Sequence, residues 1–463
     1  MNTPNASPLT PHAFLGVDFG TSGARATVID EAGEILTECR YDFHGEQSAP
    51  LWRTALFELI GQIPAALRSV LRAISIDATS ATVLLCDGAG EALGAPLLYN
   101  DVRASAEAES LAQLAPNDHE THHDRFPHPC PPPHAGEGDE GSLRKFQINS
   151  LVATPTSGLA KLLWFQRQPG FENARHLLHQ ADWLAFQMHG QLGLSDYHNA
   201  LKTGADPEAF DYPAWIKQLP VAPLLPRIVE PGAAMGSISG RIAHHFALPR
   251  DCLVRAGTTD SIAAFLASGA RKPGEAVSSL GSTLVLKLLS ERRVDSPRHG
   301  VYSHRFGQLW LAGGASNSGG AVLRKFFSDA ELQSLSRQID TNQPSGLDYY
   351  PLPKAGERFP VNDPLYPPRL TPRPDDPAHF LHGLLEGIAH IEARGYKLLQ
   401  ELGAAPLTAV LSAGGGAHNM AFTSLRARFL GVPIRTAAHA EAAYGSALLA
   451  RDGARLLYSG YAR

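Results

Sequence analysis

Apolar positions fall in short runs separated by turn residues over most of the chain, and a helical period appears in only a few stretches. Residues 14–30 hold two such runs split by Gly20-Thr21-Ser22-Gly23, which predicts a β-hairpin whose tip carries small residues and hydroxyls. Further strands are predicted at 73–77 and 82–86, and helices at 55–71 and 158–167. Strands alternating with helices argue for a layered α/β fold.

A second series opens late in the chain, with a strand at 276–280, a turn at Gly281-Ser282-Thr283 and a strand at 284–288. Asp18-Phe-Gly-Thr-Ser and Ser279-Leu-Gly-Ser-Thr each put Gly and two hydroxyl residues at a hairpin tip, so two similar lobes are expected to share a cleft. The longest helical pattern, 378–402, carries Phe380, Leu381, Leu384, Leu385, Ile388 and Ile391 on one face, with Gly403 as its cap, and reads as scaffold. Residues 409–419 read as a strand followed by a Gly-rich turn, and 420–430 as a helix. Residues 117–141 break the pattern, being dense in Pro, Gly and His. Their His119, His122, His123, His128, Cys130 and His134 are metal-ligating types, but the prolines prevent regular ligand geometry. The segment reads as a disordered surface insertion whose excision leaves activity intact.

Composition narrows the class. With 463 residues and 44% hydrophobic content, the chain can bury more than one core. A net charge of −5, with both signs intermixed, offers no basic face and argues against a nucleic-acid partner. The four cysteines are far apart and form no C-x-x-C pair, which fits a reducing compartment. Residues 1–12 lack the basic start and apolar centre of a signal peptide, and no apolar run is long enough to span a bilayer. A soluble cytoplasmic protein without membrane contact is expected, with monomer and homodimer both open.

The first hairpin carries the most specific chemistry. Small residues let backbone N–H groups approach an anion, and hydroxyls add donors. Asp18 beside them cannot hold a phosphate directly but suits the Mg²⁺ that accompanies a nucleotide. No Gly-Lys-Ser/Thr opens a following helix, so the loop is not a P-loop.

Taken in order, these pieces resemble the FGGY carbohydrate kinases, members of the wider actin/hexokinase-like ATPase superfamily, over nearly the full length outside 117–141. Asp18-Phe-Gly-Thr-Ser is similar to the family's first phosphate hairpin. Tyr99-Asn-Asp-Val-Arg103 looks like its Trp-x-Asp-x-Arg segment with Tyr99 replacing Trp, and Thr156-Ser-Gly-Leu-Ala-Lys-Leu-Leu-Trp164 like the helix after it. Gly257-Thr-Thr-Asp-Ser261 resembles the element carrying the catalytic acid, Leu280-Gly-Ser-Thr283 the second phosphate loop, and Gly414-Gly-Gly-Ala-His-Asn419 the adenosine motif. Ala442-Ala-Tyr-Gly-Ser-Ala-Leu-Leu449 is similar to the helix that closes the fold. Ile74-Ser-Ile-Asp-Ala-Thr-Ser80 lacks both the Gly-Gln-Met-His of xylulose kinases and the Arg-Glu of glycerol kinases, and looks more like the D-ribulose kinases of cyanobacteria and plants.

The resemblance implies an α/β fold of two actin/hexokinase-like (ribonuclease H-like) lobes, each a mixed sheet flanked by helices, with the active site in the cleft between them. It implies a sugar-binding lobe of residues 1–267 plus 441–463, a nucleotide-binding lobe of 268–440, and a hinge near 260–270. The implied reaction is ATP- and Mg²⁺-dependent phosphorylation of a terminal sugar hydroxyl, D-ribulose ahead of D-xylulose or another ketose or polyol. An actin-like ATPase and an inactive sugar sensor are the competing classes. Asp260 is assigned to orient and deprotonate the hydroxyl, with Thr258 or Thr259 as cap of its helix, and Asp18 to Mg²⁺. Gly20, Thr21 and Ser22 face the phosphates, Ser22 also within reach of the sugar, and Gly281, Ser282 and Thr283 approach from the other lobe. Gly414, Gly415 and Gly416 let adenosine lie against the backbone, with Asn419 nearby. Ser80, Asp101 and Arg103 join Asp18, Ser22 and Asp260 as sugar contacts, although Asp101 and Arg103 also fit a local ion pair. Trp164 and Trp183 read as core, and His418 as a loop histidine.

Overall fold

The computed structural model describes residues 12–114 and 151–461, so the insertion expected at 117–141 lies outside the described residues. Sixteen strands are described: β1 Ala13–Phe19, β2 Gly23–Asp30, β3 Ile35–Asp42, β4 Leu71–Ala78, β5 Val83–Cys86, β6 His176–His179, β7 Leu194–Asp196 and β8 Arg227–Val229, followed by β9 Ala234–Ser237, β10 Leu253–Thr259, β11 Glu275–Leu280, β12 Leu284–Ser290, β13 Tyr302–Phe306, β14 Leu309–Ser316, β15 Ala409–Ala413 and β16 Ile434–Thr436.

Two six-stranded sheets hold the fold, ordered β3-β2-β1-β4-β10-β9 and β13-β14-β12-β11-β15-β16. Within them, β3-β2-β1-β4-β10 and β14-β12-β11-β15-β16 share one plan: two antiparallel pairings, then two parallel ones. The internal likeness read from two short motifs is therefore a repeat of topology, with one extra strand added on opposite edges. The fold is the expected two-lobed α/β architecture.

Most elements sit where the apolar pattern puts them. The long amphipathic helix is Pro377–Glu401, capped by Asp376, whose carboxylate accepts from the N–H groups of Ala378 and His379. One expectation is corrected. The pattern at 55–71 runs through Pro64, whereas the helix is Ala49–Gln62 and a separate turn, Ala65–Arg68, leads into β4. Pro64 disfavours the α conformation at Ile63 and offers no N–H, so the helix stops there.

The closing helix Ala442–Asp452 returns to the first sheet and packs on β1, β4 and the helix Asp260–Ser268. Its backbone lies so close that a Cβ on Gly16 would sit 2.0 Å from the Ala443 carbonyl oxygen, and one on Gly445 would sit 1.8 Å from that of Ala263. The helix Asp260–Ser268 fills the junction of the lobes. Its Ile262, Phe265 and Leu266 share a buried cluster with Val277, Leu289 and Phe306 of the second sheet, Phe265 and Phe306 meeting edge to face at 5.5 Å. The second lobe has its own core under the helix Pro377–Glu401, where buried Arg426 donates to Glu392 at 2.6 and 2.7 Å and to Ser412 Oγ at 2.7 Å. No helix among the described residues is long and apolar enough to cross a membrane.

Candidate active site

Parallel strands deliver three side chains to one end of the first sheet. Asp18 on β1 is in register with Asp77 on β4, and Asp77 with Thr258 on β10. Asp260 follows directly as the first residue of its helix. The carboxyl ends of parallel strands are where open α/β sheets place ligand-binding groups. The register therefore brings Asp18 and Asp260, remote in sequence, to the same end of the sheet, near enough for the Asp260 charge to act on Asp18.

Burial, more than any other influence, pushes the Asp18 carboxyl up to about 6; Asp77 hydrogen-bonds to it and opposes the rise, while the Asp260 charge adds to it. Asp77 is fully buried and pushed well above the usual carboxylate range, first by burial and then by the charge of Asp18. It accepts from Ser446 Oγ at 2.5 Å. Asp18 Oδ1 and Asp77 Oδ1 have no protein donor. Asp77 and Ser446 fall within stretches read from the sequence, 74–80 and 442–449, but neither is assigned there to the site.

Asp260 accepts from the Ser261 N–H at 2.6 Å. Burial raises its proton affinity, and the Ser261 bond, Lys287 and Lys202 lower it. The expected threonine cap is corrected: Thr259 occupies the N-cap position without a capping bond, and its buried hydroxyl has no partner. Thr258 Oγ1 instead meets His198 Nδ1 at 2.8 Å, while His198 Nε2 donates to the Arg305 carbonyl at 2.6 Å, joining β10 to β13 of the other lobe. Burial pushes His198 down to about 3, so the ring is neutral.

Two lysines act on Asp260, and a third is buried against the carbonyls of Ala81 and Leu98. Lys287, on β12, donates to the Ser261 carbonyl at 2.7 Å; burial pushes it down to about 7 while Asp260 pulls it up. Lys202, in the turn Ala200–Thr203, acts on Asp260, Lys287 and Lys161. Lys161 is fully buried, donates to the carbonyls of Ala81 and Leu98 at 2.7 and 2.6 Å, and is likewise pushed down to about 7 by burial. None of the three stood out in the sequence, because a single lysine in an apolar run is also what a solvated face looks like.

Each hairpin tip is closed by a backbone bond from its leading glycine, spanning three residues in the first and two in the second. Gly20 N–H donates to the Gly23 carbonyl at 3.0 Å, and Gly281 N–H to the Thr283 carbonyl at 3.2 Å. Thr21, Ser22 and Ser282 are exposed, and among the described residues no hydrogen bond engages their hydroxyls or that of Thr283. The second tip rests on the N–H groups of Gly320 and Ala321, which donate to the Gly281 and Ser282 carbonyls at 2.8 and 3.0 Å. Beside it opens a cavity of about 640 Å³, lined among others by Gly281, Gly320, Leu385, Gly415, Gly416, His418 and Asn419. Gly414 adopts φ +82° with Leu280 against it, so only glycine fits that turn without strain. Asn419 reaches the cavity, but its amide is largely spent, accepting from Phe422 N–H at 3.0 Å and donating to Ser336 Oγ at 2.8 Å.

The remaining sugar candidates lie around the loops after β4. Ser80 sits in the turn that follows the strand. Asp101 and Arg103 form the local ion pair, with Arg103 Nη2 at 2.6 Å from Asp101 Oδ2, and the guanidinium lies 5.0 Å from the ring centre of Trp164. Arg103 and Lys161 hold the Asp101 carboxyl low. Trp183 is buried, as expected.

No group of three metal-ligating side chains occurs among the described residues. The orphaned carboxylate oxygen of Asp18, next to a tip of free hydroxyls, fits a hydrated Mg²⁺ carried mainly by nucleotide phosphates.

Two lobes of repeated topology thus combine neighbouring acids at one end of the first sheet with a cavity beside the glycine-rich turn of the second. Over residues 276–451 the chain matches the model of the C-terminal domain of the FGGY family of carbohydrate kinases. Among its relatives, a xylulose kinase of Streptomyces coelicolor is 28% identical over 91% of this chain and 83% of its own. One of Klebsiella pneumoniae is 26% identical over 88% and 82%. The crystal structure of a xyloylose kinase from Brucella ovis superimposes with a TM-score of 0.79 at 23% identity, covering 96% of this chain and 91% of its own.

Proposed function

We propose that this chain transfers the γ-phosphoryl group of ATP to the terminal hydroxyl of a ketopentose, D-ribulose giving D-ribulose 5-phosphate. The meeting of Asp18 and Asp260 at one end of the first sheet, together with a cavity of nucleoside size beside the second hairpin tip, carries the reading. Asp260 accepts the proton of the sugar hydroxyl as that oxygen bonds the γ-phosphorus and the bond to the β-phosphate oxygen breaks, releasing ADP. Because the transition state is loose and anionic, alignment and charge matter more than a strong base. A helix N-terminus and nearby lysines favour the ionised form of Asp260. Asp18 would hold Mg²⁺ through water, and the ion would neutralise phosphate charge. Gly20, Thr21, Ser22 and Gly281, Ser282, Thr283 would cradle the phosphates, and Gly414, Gly415 and Gly416 the adenosine. Ser80, Asp101 and Arg103 would meet sugar hydroxyls.

D-Ribulose is favoured by the Asp77-Ala-Thr-Ser80 stretch in place of Gly-Gln-Met-His. D-Xylulose is the second reading, supported by relatives named xylulose kinases. ADP release from Mg-ATP across a panel of ketoses and polyols tests both. Sugar-dependent release with the highest kcat/KM for D-ribulose is the expected result. A preference for D-xylulose replaces the substrate, and sugar-independent release replaces the class.

A further inference from the structure

Lys287 lies on the strand that leaves the second hairpin tip. Along β12, Leu284, Leu286 and Leu288 point into the core, while Val285 and Lys287 occupy the opposite face. That face turns the ammonium out of its own lobe and onto the first turn of the helix opened by Asp260. There Lys287 and Asp260 engage the same residue, Lys287 donating to the Ser261 carbonyl at 2.7 Å and Asp260 accepting from the Ser261 N–H at 2.6 Å. The carbonyl is neutral, and among the described residues Lys287 forms no ion pair, so its charge is left to act on Asp260 and on any anion entering the cleft. A lysine that served only to solubilise a strand would reach for water.

We propose that Lys287 is a positioning residue for phosphoryl transfer, tying the second lobe's hairpin to the turn that carries Asp260 and supplying the positive charge that faces this carboxylate. The inference rests on the kinase reading. Asp18 and Asp77 face Asp260 from β1 and β4, Lys202 from the turn Ala200–Thr203, and neutral His198 through Thr258; His304 of β13 also faces Lys287. With Lys287 gone, Asp260 would keep only Lys202 as a facing cation among the described residues, while Arg25 faces Asp18.

The test compares Lys287→Met and Lys287→Arg in the full chain, measuring kcat and KM across the neutral pH range by ADP release. Thermal melting confirms folding, and Lys287→Gln replaces the Met variant should that one not fold. Lys287→Met is expected to lower kcat/KM for the sugar by about 10- to 100-fold, part of what a positioned acid–base group contributes, and to move the acid limb to higher pH. Nucleotide affinity, read by calorimetry with ADP, should hold. Lys287→Arg should restore most of kcat and extend the alkaline limb, because a guanidinium stays charged where an ammonium has lost its proton. A folded Met variant with wild-type kcat and pH profile overturns the inference. So does equal impairment of Met and Arg with both limbs unmoved, which marks a purely structural role. A wild-type chain without sugar-dependent turnover would instead defeat the kinase reading itself.

Discussion

Replacing Asp260 separates chemistry from architecture most cleanly. Asn is nearly the same shape and keeps an oxygen that can accept from the Ser261 N–H, so the turn at the head of the helix survives. What disappears is the charge and the ability to take a proton. A positioned acid–base group is worth about 10²- to 10⁴-fold in rate, or roughly 3 to 5 kcal/mol at 1.36 kcal/mol per decade. Asp260→Asn should therefore lower kcat by that factor while KM for ATP changes little, and Asp260→Ala should fall at least as far. Removing this anion also relieves Asp18, whose carboxyl should titrate below about 6 once its neighbour is neutral. Stopped-time assays of sugar phosphate, with ADP affinity from calorimetry, give both halves of the comparison. A folded Asp260→Asn protein with kcat within threefold of wild type would refute the assignment.

Other perturbations probe separate parts of the argument. Gly415 is open on its Cβ side and faces the cavity, so Gly415→Val should raise KM for ATP by about 10-fold or more with sugar affinity, read by calorimetry, unchanged. Glu392→Ala leaves Arg426 buried and unpaired, which costs about 3–5 kcal/mol and should lower the denaturation midpoint sharply, whereas exposed Asp348→Ala should barely move it. Gly16→Ala forces a methyl into the backbone of the closing helix and should yield little soluble protein at the temperatures where wild type is stable. If activity needs Asp18 ionised, the free-enzyme profile kcat/KM must fall as pH drops through about 6, because a raised carboxyl takes up its proton there; Asp18→Asn should abolish activity at every pH.

Local signals were legible and long-range ones were not. Both hairpin tips, Asp260 at a helix start, and the Gly414–Gly416 turn each announce themselves within a few residues. The likeness of the lobes came through because the same Gly-hydroxyl-hydroxyl tip occurs twice. Asp77 was hidden because its meaning depends on the β1–β4 register, and Ser446 because it reaches that carboxyl from the far end of the chain. Lys161, Lys202 and Lys287 gave no sign, since spacing does not reveal which lysine turns inward. The overrun at 55–71 had a plainer origin: apolar periodicity continued past Pro64, and the proline decided the boundary.

The closing helix also sets a timetable. Its backbone is one wall of the first sheet, and its Ser446 anchors the acid beside Asp18. A nascent chain emerging from the ribosome thus has β1, β2 and β4 long before the element that covers them. The first sheet must wait, its apolar face uncovered, until the chain through Asp452 has been synthesised. A product truncated before residue 442 would lack the hydroxyl that Asp77 accepts from, and chaperone demand should concentrate on that interval.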